Sequence, residues 1–306
     1  MEVTPVTIMK QRLFITSAFL LLTAFCLSLG ICSAAVENPA ESDYPRRIIL
    51  HRVTEGKGES LCTPVARYTD AAGRSVDLVG AVHLADASYY RALNRAFARY
   101  DKVLYEMVDG EGLPEQMRLE RKVKEGKASP AEKARYDSMK AAAARGKGAA
   151  KMLTGYYAMM SDTLGLQQQT EHIDYGLHNM VFADMSMEEL QAAMSGRGES
   201  WFSLAMDSMR AENSSSGVSF SRSSMRREVI RALARSSQAP VLAQSSIIVS
   251  RNERCFEVLD KQLASAPAGT RIAIFYGAMH LRDMHRRLLA RGFTLQGVQW
   301  LTAMRG

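Results

Sequence analysis

The sequence predicts an α/β domain: a central mixed β-sheet with flanking helices and a helical insertion in the middle of the chain. Three observations predict it. Short runs rich in β-branched and aromatic residues, bounded by turn residues, stand near both ends of the domain. A strand–helix–strand succession over 75–108 reads as a βαβ unit, which implies parallel pairing. Between these, the chain from about 110 to 178 is rich in Ala, Lys, Glu and Met and reads as helical.

In chain order, Lys10 and Arg12 precede an uncharged, apolar stretch from Leu13 to Val36, with Ser33 and Ala35 placed for a cut before Val36. Residues 1–35 are therefore expected to be a secretory signal or, since the stretch approaches spanning length, an uncleaved membrane anchor. Cys32, after Leu29-Gly30-Ile31, faintly resembles a lipid-attachment site. Strands are expected at 47–53 and 62–69, followed by the turn "DAAG" and a third strand, "RSVDLVGAVH". The spacing of Tyr89, Leu93 and Phe97 predicts a helix, with Asp86 or Ser88 as its cap. "DKVLYEMV", from Asp101, is a short buried strand with one acid, Glu106.

After the helical region, "NMVFADMS" at 179–186 suits another strand, with Asp184 or Ser186 capping the helix that starts "MEELQAAM". Residues 195–225 carry glycines, serines and the adjacent Trp201 and Phe202, and read as a mobile loop: either a flap over the cleft or a plain surface linker whose aromatics pack on the nearest helix. Helices resume at "MRREVIRALARSS" and "SRNERCFEVLDKQLAS"; the strand "RIAIFYG", a helix through about Ala290 with Gly292 at its end, and the strand "FTLQGVQWLTAM" close the chain. The division expected is thus 1–35 leader and 36–306 α/β domain, with 110–245 as helical insertion and flexible loop.

The 306 residues carry a formal charge of +7, and about +6 once Glu2, Lys10 and Arg12 leave with the leader. That charge is scattered and no recognition motif accompanies it, so a nucleic-acid partner is not expected. Beyond the leader stand two cysteines, Cys62 and Cys255, in no metal-finger spacing; outside the cytoplasm they could pair. No P-loop, GxSxG elbow or HExxH occurs.

One phrase occurs twice. Gly80-Ala-Val-His83-Leu-Ala-Asp86 and Gly277-Ala-Met-His280-Leu-Arg-Asp283 agree at five of seven positions. Each histidine falls just past a predicted strand, where open α/β sheets bind ligands. Packing has no reason to repeat a histidine in this way; Asp86 and Asp283 suit helix N-caps. Glu106 would cost several kcal/mol if buried in its apolar run without a partner. Two imidazoles and this carboxylate could converge, to hold a divalent metal or to do acid–base chemistry without one. Arg251 is either an exposed arginine at a helix start or an anion clamp for a carboxylate or oxyanion; Asn252 either caps its helix or orients a water. Asp174 and His178, four apart in "TEHIDYGLHNM", suggest a second metal patch if that segment is helical.

With Gly80-Ala-Val-His83, Glu106 one strand later, Arg251-Asn252 opening a helix, and Gly277-Ala-Met-His280, the chain resembles the TraB/PrgY/GumN family. That family includes the Tiki proteases and lies within the erythromycin esterase/ChaN-like superfamily. The order matches from about residue 76 to the end, but not over 110–245. The resemblance implies that His83, Glu106, Arg251, Asn252 and His280 share one site, with His83, Glu106 and His280 as metal ligands. It implies metal-dependent peptide hydrolysis, with Mn, Co or Zn as cofactor, as in Tiki-like members. The esterase branch implies metal-independent hydrolysis instead, and other members are binding proteins. The expectation is therefore an exported hydrolase, secreted or periplasmic, acting on a peptide or other small substrate. It would meet a membrane only through an uncleaved N-terminal segment or lipid anchor. The alternatives are a metal-free esterase-like hydrolase and a protein that sequesters a peptide or haem-like ligand.

Overall fold

The computed structural model describes residues 44–56, 58–144, 148–199, 221–237 and 245–306. The expected leader, and most of the loop with Trp201 and Phe202, lie outside the described residues. Among the described residues no helix is long and apolar enough to cross a membrane.

The expected mixed sheet is present. Its strands are β1 (Leu50–Thr54), β2 (Gly58–Thr69), β3 (Ser75–Ala81), β5 (Lys102–Tyr105), β7 (Met180–Phe182), β8 (Arg271–Gly277) and β9 (Thr294–Arg305). Their order is β1-β2-β3-β8-β5-β7, with β9 paired to β2. β2 is the pivot: its first half pairs with β1, its second half with β3, and β9 runs along its other edge, all antiparallel. Beyond β3 the sheet turns parallel, through β3–β8, β8–β5 and β5–β7. The βαβ expectation holds in direction, but β8, from the far end of the chain, is inserted between β3 and β5.

Both faces of the parallel half are covered, which explains why its strands read as continuous apolar runs rather than alternating ones. Along β8, Ala273 and Phe275 face one core, with Tyr89, Leu93 and Phe97 of α1 (Ala87–Phe97). Ile272, Ile274 and Tyr276 face the other. There they meet Phe256 and Leu259 of α8 (Ser246–Ala264) and Met284 and Leu288 of α9 (Leu281–Ala290). α7 (Arg222–Ser236) adds Ile230 to the first core. Cys62 on β2 and Cys255 on α8 are both buried and unpaired.

The insertion is helical over α2 (Leu113–Lys124), α3 (Pro130–Ala144) and α4 (Gly148–Leu164). The chain then returns. β6 (Gln167–Gln168) pairs with β4 (Leu84–Ala85), the short strand after His83, and α5 (Gln169–His172) follows. β7 joins the sheet, and α6 (Met187–Gly196) packs on α8, where Ser246 N donates to Glu199 Oε2. So the stretch 110–245 is not one appendage; from Gln167 onward it supplies parts of the main fold. α6 starts with a capping box: Ser186 accepts from Glu189 N while Glu189 accepts from Ser186 N.

Candidate active site

The four parallel strands share a direction, so their carboxyl ends lie along one edge. Each of these ends carries a polar residue one to three positions past the strand: His83 after β3, His280 after β8, Glu106 after β5 and Asp184 after β7. Glu106 stands at the strand's end, one step beyond β5.

Glu106 and Arg251 are the centre. Arg251 Nη2 lies 2.7 Å from Glu106 Oε1 and 2.6 Å from Asp184 Oδ2, and Arg251 Nε donates to Asp184 Oδ1 at 2.9 Å. The other carboxylate oxygen, Glu106 Oε2, accepts the Gly277 N–H at 2.5 Å. A Cβ at 277 would come within 3.3 Å of that oxygen, which gives the glycine of the second phrase a physical reason. Gly80 is small for another reason: a Cβ there would meet Pro64 Cδ at 3.0 Å and Leu281 Cδ2 at 3.2 Å. The two phrases are equivalent in place but offset in register, since Ala81, not Gly80, pairs with Gly277.

Arg251 corrects the expectation of a residue at a helix start. α8 begins at Ser246, so Arg251 and Asn252 sit in its second turn, 8% and 0% exposed. Burial works against the guanidinium charge, but Glu106 and Asp184 hold its pKa above the usual arginine value. Burial also works to raise the pKa of Glu106. Arg251, His280, His83 and the Gly277 N–H overcome it and bring it down to about 2. Glu106 is therefore a fixed anion.

Asn252 neither caps a helix nor stands free for a water. Its Nδ2 donates to Asp283 Oδ2 at 2.9 Å and to His280 O at 3.3 Å, both acceptors. Its Oδ1 thus faces His280 Nδ1, at 2.7 Å. A carbonyl oxygen only accepts, so Nδ1 carries the proton and Nε2 carries the lone pair. That Nε2 lies 3.5 Å from Glu106 Oε1. Burial depresses the His280 pKa to about 4, with Glu106 opposing and Arg251 assisting, so the ring is neutral near pH 7. Asp283, expected as an N-cap, stands inside the first turn of α9 and braces Asn252 instead, itself held by Arg287. Asp86 occupies the N-cap position of α1 without capping; its carboxylate meets Arg226 and the Arg305 N–H.

His83 has solvent-accessible surface, yet protein encloses much of the ring. That enclosure lowers its pKa; Glu106 opposes, Arg251 assists and Gln169 opposes. With surface open to solvent, His83 stands on the open side of the site and is not a core residue. Tyr157 of α4 lies against it, ring centroids 5.4 Å apart.

All five expected residues therefore line one strand-end edge. Glu106, Arg251, Asn252 and His280 are in contact, and His83 acts on them electrostatically. Among the described residues, no three His, Cys, Asp or Glu side chains are grouped as a metal cage. The second patch is not formed as expected: residues 173–179 are not helical, and Asp174 pairs with Arg121. Sequence reasoning missed Asp184, taken for a cap like Ser186. Its signal was position, an acid just past a strand in step with Glu106. No family model matches the chain, and no curated protein or solved structure matches it significantly.

Proposed function

We propose that the chain is an exported hydrolase, metal-dependent and acting on peptide bonds. The observation that carries this reading is the meeting of two acceptors. The His280 lone pair and the Glu106 carboxylate face each other across 3.5 Å. Two carboxylates around one guanidinium also leave one negative charge unbalanced. Such a pair favours a cation between or beside its members. The donor set of one carboxylate and two imidazoles suits a divalent ion, with His83, Glu106 and His280 as the holders and Mn, Co or Zn as candidates. A bound ion would polarise the scissile carbonyl and acidify the attacking water. The chain's own residues do the rest. Arg251 and the Gly277 N–H keep Glu106 ionised and aimed, Asn252 keeps the His280 lone pair turned toward the cleft, and His83 offers its ring on the open side. The likeness to the TraB/PrgY/GumN family supports peptide or another small molecule as substrate, and the apolar leader supports a secreted or periplasmic location.

One observation favours a second reading, a metal-free esterase-like hydrolase. Arg251 already supplies a cation 2.7 Å from Glu106, and the neutral His280 can then take a proton from water. Elemental analysis of the purified chain, with a peptide library assayed before and after chelation and with added Mn²⁺ or Co²⁺, separates the readings. Cleavage lost on chelation and restored by the ion supports the first. Full turnover with no bound metal overturns it in favour of the second. Ligand retention without turnover of any peptide or ester overturns both and leaves a binding protein.

A further inference from the structure

β7 is the weak member of the parallel row. It has three residues, stands at the end of the sheet and pairs with β5 alone. The bond that follows its ladder is long, Ala183 N–H to Tyr105 O at 3.3 Å. Yet the next residue, Asp184, supplies the second carboxylate of Arg251, through bonds of 2.9 and 2.6 Å. A short edge strand with one neighbour opens readily, so the ladder by itself is a poor holder for that contact. Past Asp184 the chain is next held from the surface, by the exposed Asp109, which meets Met185 O and the Met187 N–H.

A buried brace comes from two strands away. Tyr276 on β8 is fully buried, and its phenol lies in the second core with Leu104 of β5 and Ala183. It crosses β5, and its hydroxyl donates to Ala183 O, the carbonyl joined to the Asp184 nitrogen. The same ring packs edge-on against His280, with centroids 5.1 Å apart and planes at 70°. A phenylalanine would fill this space equally well. A buried hydroxyl needs a partner, and what this one adds is a link between the end of β7 and the strand of His280. We propose that Tyr276 is a positioning residue: its hydroxyl holds Asp184 in place, so that Arg251 stays divided between Asp184 and Glu106. Without that hold Arg251 turns wholly onto Glu106 and cancels the negative charge that faces His280. The assignment rests on the reading of this edge as the site, and it gives the residue before Gly277 a part in it.

The test is NMR of the arginine side chains in the full chain, labelled with ¹⁵N and ¹³C, in chelator at neutral pH. The Arg251 Nε–H, which donates to Asp184 Oδ1, is assigned through its side-chain carbons to its own backbone amide. The expected result is one slowly exchanging Nε–H resonance. Tyr276→Phe keeps the ring and removes the hydroxyl. It should speed exchange of that proton roughly fivefold to tenfold, the effect of one lost hydrogen bond. Tyr68→Phe is the control: it removes a hydroxyl of the same core that meets Tyr44 and His285, on the residue paired with Val76 near the start of β3. It should leave the Arg251 proton unchanged. A fast-exchanging Arg251 Nε–H in the unsubstituted chain, one unmoved by Tyr276→Phe, or one sped up equally by Tyr68→Phe would each overturn the assignment. Backbone amides of β8 mark the folded chain. If Tyr276→Phe loses them, the hydroxyl carries the fold rather than the site, which overturns it too. The readout is an exchange rate, not turnover, so a chain with this signature that hydrolyses nothing sinks the hydrolase reading alone.

Discussion

Glu106 is held charged against its burial and His280 is kept neutral by it, and both make stability depend on pH in the same direction. The His280 pKa falls from 6.5 to about 4 on folding. Between those values the unfolded chain takes up a proton that the folded site refuses, so stability drops as pH falls through that window. Glu106, lowered from 4.5 to about 2, extends the loss to lower pH. Thermal melts of the metal-free chain should show the melting temperature falling steadily below about pH 6.5; a flat profile from pH 7 to 4 would contradict the arrangement. Glu106→Gln should cut hydrolysis by roughly 10²–10⁴-fold, because the anion that faces His280 is gone. Ligand capture in that variant, measured by calorimetry, would mark a binding protein. Asp184→Ala strips one of the two carboxylates from a buried guanidinium. Such losses cost about 3–5 kcal/mol, so urea denaturation should show a large drop, with Asp184→Asn intermediate.

At the scale of elements, the two phrases test whether a glycine serves packing or chemistry. Gly80→Ala pushes a methyl against Pro64 of the neighbouring strand and Leu281 of α9, neither of which can yield cheaply. Overpacking of this kind costs about 1–3 kcal/mol, visible as a lower denaturation midpoint. Gly277→Ala meets the Glu106 carboxylate at 3.3 Å and His280 Cδ2 at an ordinary contact distance of 3.7 Å. It should leave stability within about 1 kcal/mol of the parent but reduce turnover, since it presses on the oxygen that the 277 N–H holds. Equal stability losses in the two variants would refute the distinction. The capping box of α6 gives a control outside the contacts of the site: Ser186→Ala should cost about 1 kcal/mol and spare activity.

At the scale of the whole molecule, stability is distributed unevenly. β3, β8 and β5 are buried on both faces. α3 is largely exposed and is tied to α2 by the pairs Lys122–Glu132 and Arg135–Glu115, which involve substantially exposed side chains. Exposed pairs contribute little, about 0–1 kcal/mol each. Native-state hydrogen exchange should therefore find α2 and α3 opening well below the global unfolding free energy, with β8 among the last amides to exchange. Uniform protection across α3 and β8 would show that the hairpin is bound to the body by more than these contacts.

The sequence by itself determined the fold class, most strands and helices of the described residues, and Glu106 and His280 as candidates at strand ends. Those features are local: apolar period, turn residues, and a glycine and histidine repeated past two strands. Strand order came only with the tertiary structure, because β8 enters between β3 and β5 from nearly two hundred residues away. The same is true of the setting of Arg251, which local pattern left as either an exposed arginine or an anion clamp and long-range packing buried between two carboxylates. Asp184 and Asp283 were invisible as site residues for the same physical reason. An acid near a helix start satisfies a capping pattern equally well, and only its partner across the fold decides whether it caps a helix, neutralises an arginine or braces an asparagine.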